Sequence, residues 1–145
     1  MTPLRLATPD DLPAVLALLK DSGLPYQDVD TNRLNEFLIA AGGQSVLGAV
    51  GLERYEDNGL LRSLVVRPES RWTGLGTQLA EAMENHARTT GVRTLYLLTT
   101  TATDFFARRG YEVTARSEAP ATLQGTTEFS TLCPAQAVCM RRTLI

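Results

Sequence analysis

The chain has 145 residues, 43% of them hydrophobic and 21% charged, with a formal net charge of −2; that suits one soluble globular domain with its own core, and residues 1–145 are expected to form a single domain. The near-neutral balance, with its positive charges scattered, speaks against nucleic acid, which wants a basic stripe. No apolar run approaches the ~18 residues of a membrane span and residues 1–7 carry no apolar signal core, so a cytoplasmic protein without a membrane partner is expected.

In chain order, Leu4 and Leu6 begin a short strand, and Ala7-Thr8-Pro9-Asp10-Asp11 runs into a helix cap. Leu12, Val15, Leu16, Leu18 and Leu19 then recur at helical spacing, with Pro13 in the tolerated first turn, until Gly23-Leu24-Pro25 stops the helix. Thr31 to Glu36 can form a turn or two of helix. Phe37 to Ala41 and Val46 to Arg54 read as strands joined by a hairpin at Gly42-Gly43-Gln44. Asp57-Asn58-Gly59 reads as the next turn and Leu60 to Val66 as the fourth strand.

Leu75, Leu79, Ala82, Met83 and Ala87 mark one face of a helix that ends before Gly91. Val92 to Thr99 reads as a buried strand, Ala102 to Arg109 as a short helix closed by Gly110 in the left-handed conformation, and Tyr111 to Thr114 as another strand. Ala137 to Leu144 is the final strand. Thr114 to Gln136 is a long connection in which Pro120 can open a helix through about Phe129, and such a length is more often a binding lid than a plain turn. The early strands pair as a meander, while the unit from Leu60 to Thr99 demands a right-handed parallel crossover, so the class is α/β with a mixed sheet.

The chemistry-bearing residues are few. Arg71-Trp72-Thr73-Gly74-Leu75-Gly76 lies between a strand and a helix start, where uncovered N–H groups and the helix dipole favour a phosphate. Arg62 interrupts an apolar strand, and a buried guanidinium there wants an anionic partner: it is a clamp for an acidic or amino-acid acceptor, or else a structural ion pair or an exposed edge position. Ser63 faces the other way and either bonds a substrate or fills a small space. His86 flanks the third helix and reads as a satisfied surface histidine. Cys133 and Cys139 could be a disulfide, half of a metal site or two buried thiols; with one histidine and no Cys-x-x-Cys pair, two reduced thiols are favoured and no metal is expected.

The run Val66-Arg67-Pro68-Glu69-Ser70-Arg71-Trp72-Thr73-Gly74-Leu75-Gly76 resembles the acetyl-CoA motif of the GNAT superfamily of N-acetyltransferases. A second landmark of that superfamily, a small helix ending aromatic-x-x-x-Gly-aromatic, matches Phe106 through Gly110-Tyr111. A narrower resemblance lies in Leu61-Arg62-Ser63-Leu64, Leu97-Leu98-Thr99-Thr100-Thr101, Asp104 to Gly110 and Cys133-Pro134-Ala135-Gln136-Ala137-Val138-Cys139-Met140. These segments are similar to the N-acetyltransferases encoded beside arsenic-resistance genes and, more distantly, to the acetyltransferase domain of N-acetylglutamate synthase.

The resemblance implies a GNAT acyl-CoA N-acyltransferase fold: a central mixed sheet of six to seven strands with helices on both faces, the fourth and fifth strands splayed to admit pantetheine by strand addition. It implies acetyl-CoA as co-substrate, no metal, a small-molecule amine as acceptor, either an amino acid or an amino-bearing organoarsenical, and compatibility with a homodimer. Leu64, Val65 and Val66 would line pantetheine, with the Leu64 N–H as oxyanion donor. Arg71, Trp72, Thr73, Gly74, Leu75, Gly76 and Thr77 would hold the pyrophosphate, and Thr99, Phe105 and Phe106 would complete the cofactor site. Arg62, Ser63, Glu128, Phe129, Cys133 and Cys139 are the substrate-side candidates, the thiols because soft ligands suit trivalent arsenic.

Two positions depart from the superfamily pattern. The carboxylate base at the start of the fourth strand is replaced by Leu60, and the tyrosine acid by Phe106. Glu53, through a water relay, is the best remaining base, Thr99 could substitute for an asparagine that often contacts pantetheine, and Tyr111 is not assigned a role. A glutamate acetyltransferase and a non-catalytic acyl-CoA-binding module are the competing readings; against the former, the arginine-serine pair wanted near the last strand reads Ala135-Gln136.

Overall fold

The computed structural model describes residues 2–42, 45–133 and 136–144. Seven strands, β1 (Leu4–Leu6), β2 (Phe37–Gly42), β3 (Ser45–Tyr55), β4 (Asn58–Val66), β5 (Thr94–Thr99), β6 (Glu112–Thr114) and β7 (Val138–Thr143), follow the hydrogen-bonded order β1-β2-β3-β4-β5-β7-β6. The α-helices are α1 (Leu12–Asp21), α2 (Thr31–Leu34), α3 (Leu75–Thr89), α4 (Thr103–Arg108) and α5 (Ala121–Gln124). The sheet is mixed, as expected: β4 and β5 run parallel and the other registered pairs antiparallel.

The chain forms two compact units, one of residues 1–53 and 61–86, the other of residues 54–60 and 87–145. The first is built on β1, β2, most of β3 and the end of β4. Val15, Leu18 and Leu19 of α1 face Val29, Leu34, Phe37, Ile39, Val46, Ala49 and Val65 in one apolar cluster. The three-and-four spacing of the α1 residues is what puts them on one side of the helix. Gly23, at φ +73°, closes that helix as the Leu24 N–H returns to the Leu19 carbonyl at 3.0 Å. Gly48 marks a close approach: a Cβ there would lie 2.8 Å from the Val65 carbonyl oxygen and 2.9 Å from a Leu79 methyl.

Ahead of α1, Asp11 accepts from the Thr8 N–H at 2.7 Å and from both terminal nitrogens of Arg5 at 2.7 and 2.9 Å. The Arg5 hydrogen bonds, opposed by partial burial and aided by Thr8, hold its carboxyl at about 2 against an ordinary 3.8. A depressed carboxyl stabilises the fold above its unfolded pKa and ceases to do so as pH falls through the folded one. Urea midpoints measured from pH 5 to 2 should therefore fall more steeply for the wild type below pH about 4 than for Arg5→Ala, which lacks the interaction. Parallel profiles would contradict it.

In the second unit β4 contributes only its first residues. The parallel ladder pairs Asn58 with Thr94, Gly59 with Leu95 and Leu60 with Tyr96. That pairing moves the expected turn. Asn58 and Gly59 belong to β4, and Glu56-Asp57 makes the turn, with Glu56 at φ +59°; the Asp57 carbonyl accepts from the Arg93 and Thr94 N–H groups, which draws the following residues into the ladder. Likewise β5 starts at Thr94, not Val92, because the Val92 N–H is bound to the Ala87 carbonyl at the end of α3. Gly110, at φ +92°, closes α4. The hairpin expected at Gly42-Gly43-Gln44 has its two inner residues outside the described set, although Gly42 and Ser45 pair across it.

The expected helix from Pro120 to Phe129 is two pieces: α5 and a π-helical turn, Glu128–Leu132. Thr126 separates them. Its hydroxyl donates to the Leu123 carbonyl at 2.7 Å and accepts from the Phe129 N–H at 3.3 Å, ending one piece and starting the next. Leu123 and Phe129 pack with Leu60, Tyr96, Ala119 and Cys139, so this segment covers the second unit's own apolar cluster. Among the described residues no helix is long and apolar enough to cross a membrane.

Candidate functional site

The residues singled out above fall into two sets, one in each unit. The first is organised by β4. Its residues Gly59 to Arg62 are all buried, yet Ser63, in mid-strand, adopts φ +60° and is only half-buried. A left-handed non-glycine residue costs about 1 to 2 kcal/mol and breaks the pleat, re-aiming the backbone of Leu64 to Val66 beyond it. Nothing local in the sequence announces this kink.

Beside the kink, Arg62 sits with its side chain wholly excluded from solvent. Its two terminal nitrogens donate to the Asp28 carboxylate at 2.6 and 2.7 Å, one of them also to Glu53 at 2.8 Å, and its Nε donates to the Ser63 hydroxyl oxygen at 3.0 Å. Arg33 completes the cluster, 2.6 Å from the other Glu53 oxygen and 3.6 Å from Asp28. Burial pushes the Asp28 carboxyl up, but the Arg62 hydrogen bonds and the charges of Arg62 and Arg33 outweigh it, and the net shift is downward. Of the readings of Arg62, the structural ion pair describes this arrangement, since the fork already holds Asp28 and Glu53. Both Glu53 oxygens lie against guanidinium groups, those of Arg62 and Arg33, which weighs against its expected part as a base at the end of a water relay. Asp28 and Arg33 were not legible as partners because they stand about 30 residues from Arg62 in sequence.

After β4 the chain makes one 3₁₀ turn, Pro68–Ser70, and then the loop into α3. Arg71 donates from Nε to the Val66 carbonyl at 3.2 Å, and the Thr73 hydroxyl donates to the Ser70 carbonyl at 2.6 Å. Trp72 at φ +68° and Gly74 at φ +84° are both left-handed. Left-handed residues alternating with ordinary ones turn successive N–H groups to the same side, the geometry of an anion nest. Leu75, Leu79, Ala80 and Met83 anchor α3 in the core, while Arg71, Trp72, Thr73 and Gly74 face solvent. Among the described residues no carbonyl takes the N–H of any residue from Trp72 to Thr77; the first helical bond is from Gln78 to Gly74, at 3.0 Å. N–H groups that no carbonyl takes, a helix N-terminus and an exposed basic side chain therefore lie in the same loop, an arrangement chemically suited to an anion.

His86, further along α3, pairs with Glu36 at 2.9 Å and has the surface role expected of it.

In the second unit, Thr99 accepts the Ala102 N–H on its hydroxyl at 3.0 Å, a local turn just ahead of α4. Phe106 is buried in edge-on contacts with Phe105, centroids 5.0 Å apart, and with Tyr111, at 5.4 Å. Leu60 is fully buried, so the start of β4 is apolar where a carboxylate base would otherwise stand. Glu128 is buried and accepts from the Cys133 thiol at 3.6 Å; Phe129 packs beneath the Arg116 guanidinium, 5.9 Å from its centroid. Cys133 and Cys139 are both reduced, and burial, against the charges of Arg116 and Arg141, pushes the Cys139 thiol up. A protonated buried thiol is a poor soft-metal ligand. Among the described residues no three potential ligands gather around a point that could hold a metal ion.

A model of the acetyltransferase (GNAT) domain matches residues 33–113. Over 125 residues the chain is 30% identical to an amino-acid acetyltransferase of Pseudomonas fluorescens, covering 81% of this chain and 29% of that protein. Over 64 residues it is 41% identical to an amino-acid acetyltransferase of Pseudomonas syringae, covering 44% of this chain and 15% of that one. The chain thus spans less than a third of the length of these curated relatives. Among solved structures, N-acetylglutamate synthase from Neisseria gonorrhoeae, complexed with coenzyme A and N-acetyl-glutamate, superposes with a TM-score of 0.87 at 24% identity over 100% of this chain and 35% of that one. A Mycobacterium tuberculosis protein solved with CoA gives 0.81 at 22% identity, covering 99% of each chain. At these identities the structural likeness speaks for the fold.

Proposed function

Because the chain belongs to the GNAT acetyltransferase family, we propose that it transfers the acetyl group of acetyl-CoA to the primary amine of a small molecule, an amino acid in the first instance. The observation that supports this most strongly is the run of N–H groups from Trp72 to Thr77 at the start of α3, which no backbone carbonyl takes among the described residues, with the exposed Arg71 beside it. These donors match a pyrophosphate in number and charge, and a side chain at Gly74 would meet nothing within 4 Å, so the loop is open to a ligand. Bound acetyl-CoA would supply an activated thioester. Beyond the Ser63 kink, the re-aimed Leu64 N–H is the donor for the carbonyl oxygen, and Leu64 to Val66 offer strand-edge groups to the pantetheine arm.

The chain's own residues supply little proton transfer. Leu60 is apolar and Glu53 is held by two arginines, so the reactive acceptor is the amine that arrives neutral. A thiol near ~8.5 leaves tolerably without an acid, which accommodates Phe106. Below the pKa of the acceptor amine, kcat/KM should rise about tenfold per pH unit and level off above it, following the neutral fraction. A plateau already reached at pH 6 would reveal a protein base instead.

The amino-acid class rests on the relatives, which are named amino-acid acetyltransferases. An amino-bearing organoarsenical, which the narrower resemblance suggests, belongs in the same acceptor panel. Glutamate itself is less favoured because the arginine-serine pair is replaced by Ala135-Gln136, of which Ala135 lies outside the described residues. Thiol release from acetyl-CoA, measured with each acceptor, tests the reading: amine-dependent release supports it, and release with none of them contradicts it.

A further inference from the structure

Trp72 is the single tryptophan of the chain and is fully exposed, although an indole carries more apolar surface than any other side chain and is ordinarily highly buried. It also holds φ +68°, a conformation that an ordinary side chain avoids. Two unfavourable features coincide on one residue, and that residue is the first of the N–H row, followed by Thr73, whose hydroxyl bond to Ser70 fixes the loop. The left-handed backbone turns the Trp72 N–H with the row and leaves the indole standing clear of the protein. No aromatic ring packs against it among the described residues.

From this we propose that Trp72 is a stacking platform for the purine base of the nucleotide whose pyrophosphate the cradle holds. The proposal rests on the cradle reading given above and adds a subsite to it. In a nucleotide the base joins the pyrophosphate through one ribose, so an indole rooted in the cradle itself lies one sugar's length from the phosphates. An exposed flat π-face in that position offers a base the contact that aromatic residues give in other nucleotide sites, and it tolerates any base that stacks. It makes no hydrogen bond to the base edge, so the subsite takes the flat face of a base without reading its identity.

With one tryptophan beside four tyrosines, fluorescence excited selectively at the indole reports on this position alone. Titration with coenzyme A should quench it, whereas 4′-phosphopantetheine, which keeps one phosphate of the pyrophosphate and lacks the adenosine 3′,5′-bisphosphate, should bind without quenching. By isothermal titration calorimetry, Trp72→Ala should bind coenzyme A about tenfold more weakly, within the range that an aromatic side chain contributes per stacked base, while its affinity for 4′-phosphopantetheine stays unchanged. Trp72→Phe, which keeps a π-face, should recover most of the loss. Circular dichroism checks that the variants fold. Coenzyme A bound equally well by wild type and Trp72→Ala, without quenching, would overturn the stacking proposal and leave the cradle reading intact. If calorimetry shows no coenzyme A binding to the wild type, both are overturned.

Discussion

Arg62→Met is expected to destabilise the protein by about 3 to 5 kcal/mol, read as a lowered urea midpoint at unchanged slope. The side chain has no solvent exposure and satisfies Asp28, Glu53 and the Ser63 hydroxyl together. Methionine fills a similar volume but leaves the buried Glu53 and the half-buried Asp28 sharing Arg33, which is itself part-exposed. The loss is chiefly the cost of leaving the buried Glu53 carboxylate with less compensation, and of the half-buried Asp28 beside it, not the worth of one ion pair. Its pH dependence carries a definite sign. In the wild type Asp28 lies below the ordinary carboxylate range, so its contribution is present above that range and is lost as pH falls through the lowered value. Without Arg62 the burial that already pushes Asp28 upward has less to oppose it, and acid unfolding should begin at a higher pH. Arg62→Lys keeps the charge and loses the fork, so it should fall between the two. A variant within 1 kcal/mol of wild type would show that the cluster is dispensable.

Gly74→Val is expected to weaken acetyl-CoA binding by about 100-fold while leaving the fold intact. The effect cannot come from a clash, since an added Cβ at Gly74 meets no atom within 4 Å. It comes from the backbone. Gly74 holds φ +84°, which a β-branched residue resists, so the loop must rotate and turn N–H groups away from the anion. Gly74→Ala, less resistant to that conformation, should lose about tenfold. Because the position is exposed and lies outside the apolar cluster, the melting temperature without ligand should move by only a few degrees in either variant. A Gly74→Val protein that folds and binds acetyl-CoA normally would remove the cradle from the account.

The parts of this molecule that were legible in advance are those whose signal is local. The spacing of Val15, Leu18 and Leu19, of Leu75, Leu79 and Met83, and the glycines at 23, 74 and 110 each carry their own geometry, so α1, α3 and the loop that leads into α3 follow from short windows. The misplaced turn illustrates the opposite case. Asp57-Asn58-Gly59 has good turn chemistry, but the ladder to Thr94 and Leu95 recruits Asn58 and Gly59, and Glu56 accepts the left-handed position instead. Tertiary pairing outweighs local preference there. The division of the Pro120 to Phe129 helix depends on two hydrogen bonds of one threonine hydroxyl.

In the site, the contrast is sharper. A phosphate cradle is written in contiguous residues, whereas the Arg62 cluster joins Asp28, Arg33 and Glu53 across separate elements. Arg62 could be singled out as a guanidinium in an apolar strand, but its partners could not. Neither could the kink at Ser63, because serine has no special tolerance for φ +60° and only the surrounding structure imposes it. The departures at Leu60 and Phe106 were visible, and burial of both residues shows why they matter: each occupies apolar packing where an ionisable group would have to be dry.

The central claim is that the loop from Arg71 to Thr77 holds acetyl-CoA so that an amine can take its acetyl group. The most direct measurement follows free thiol released from acetyl-CoA, with a panel of amino acids as acceptors, in wild type and Gly74→Val at equal concentration. The account predicts amine-dependent release by the wild type, rising with pH, and its loss in the variant. Absence of release with every amine, or equal release by the two proteins, would contradict it.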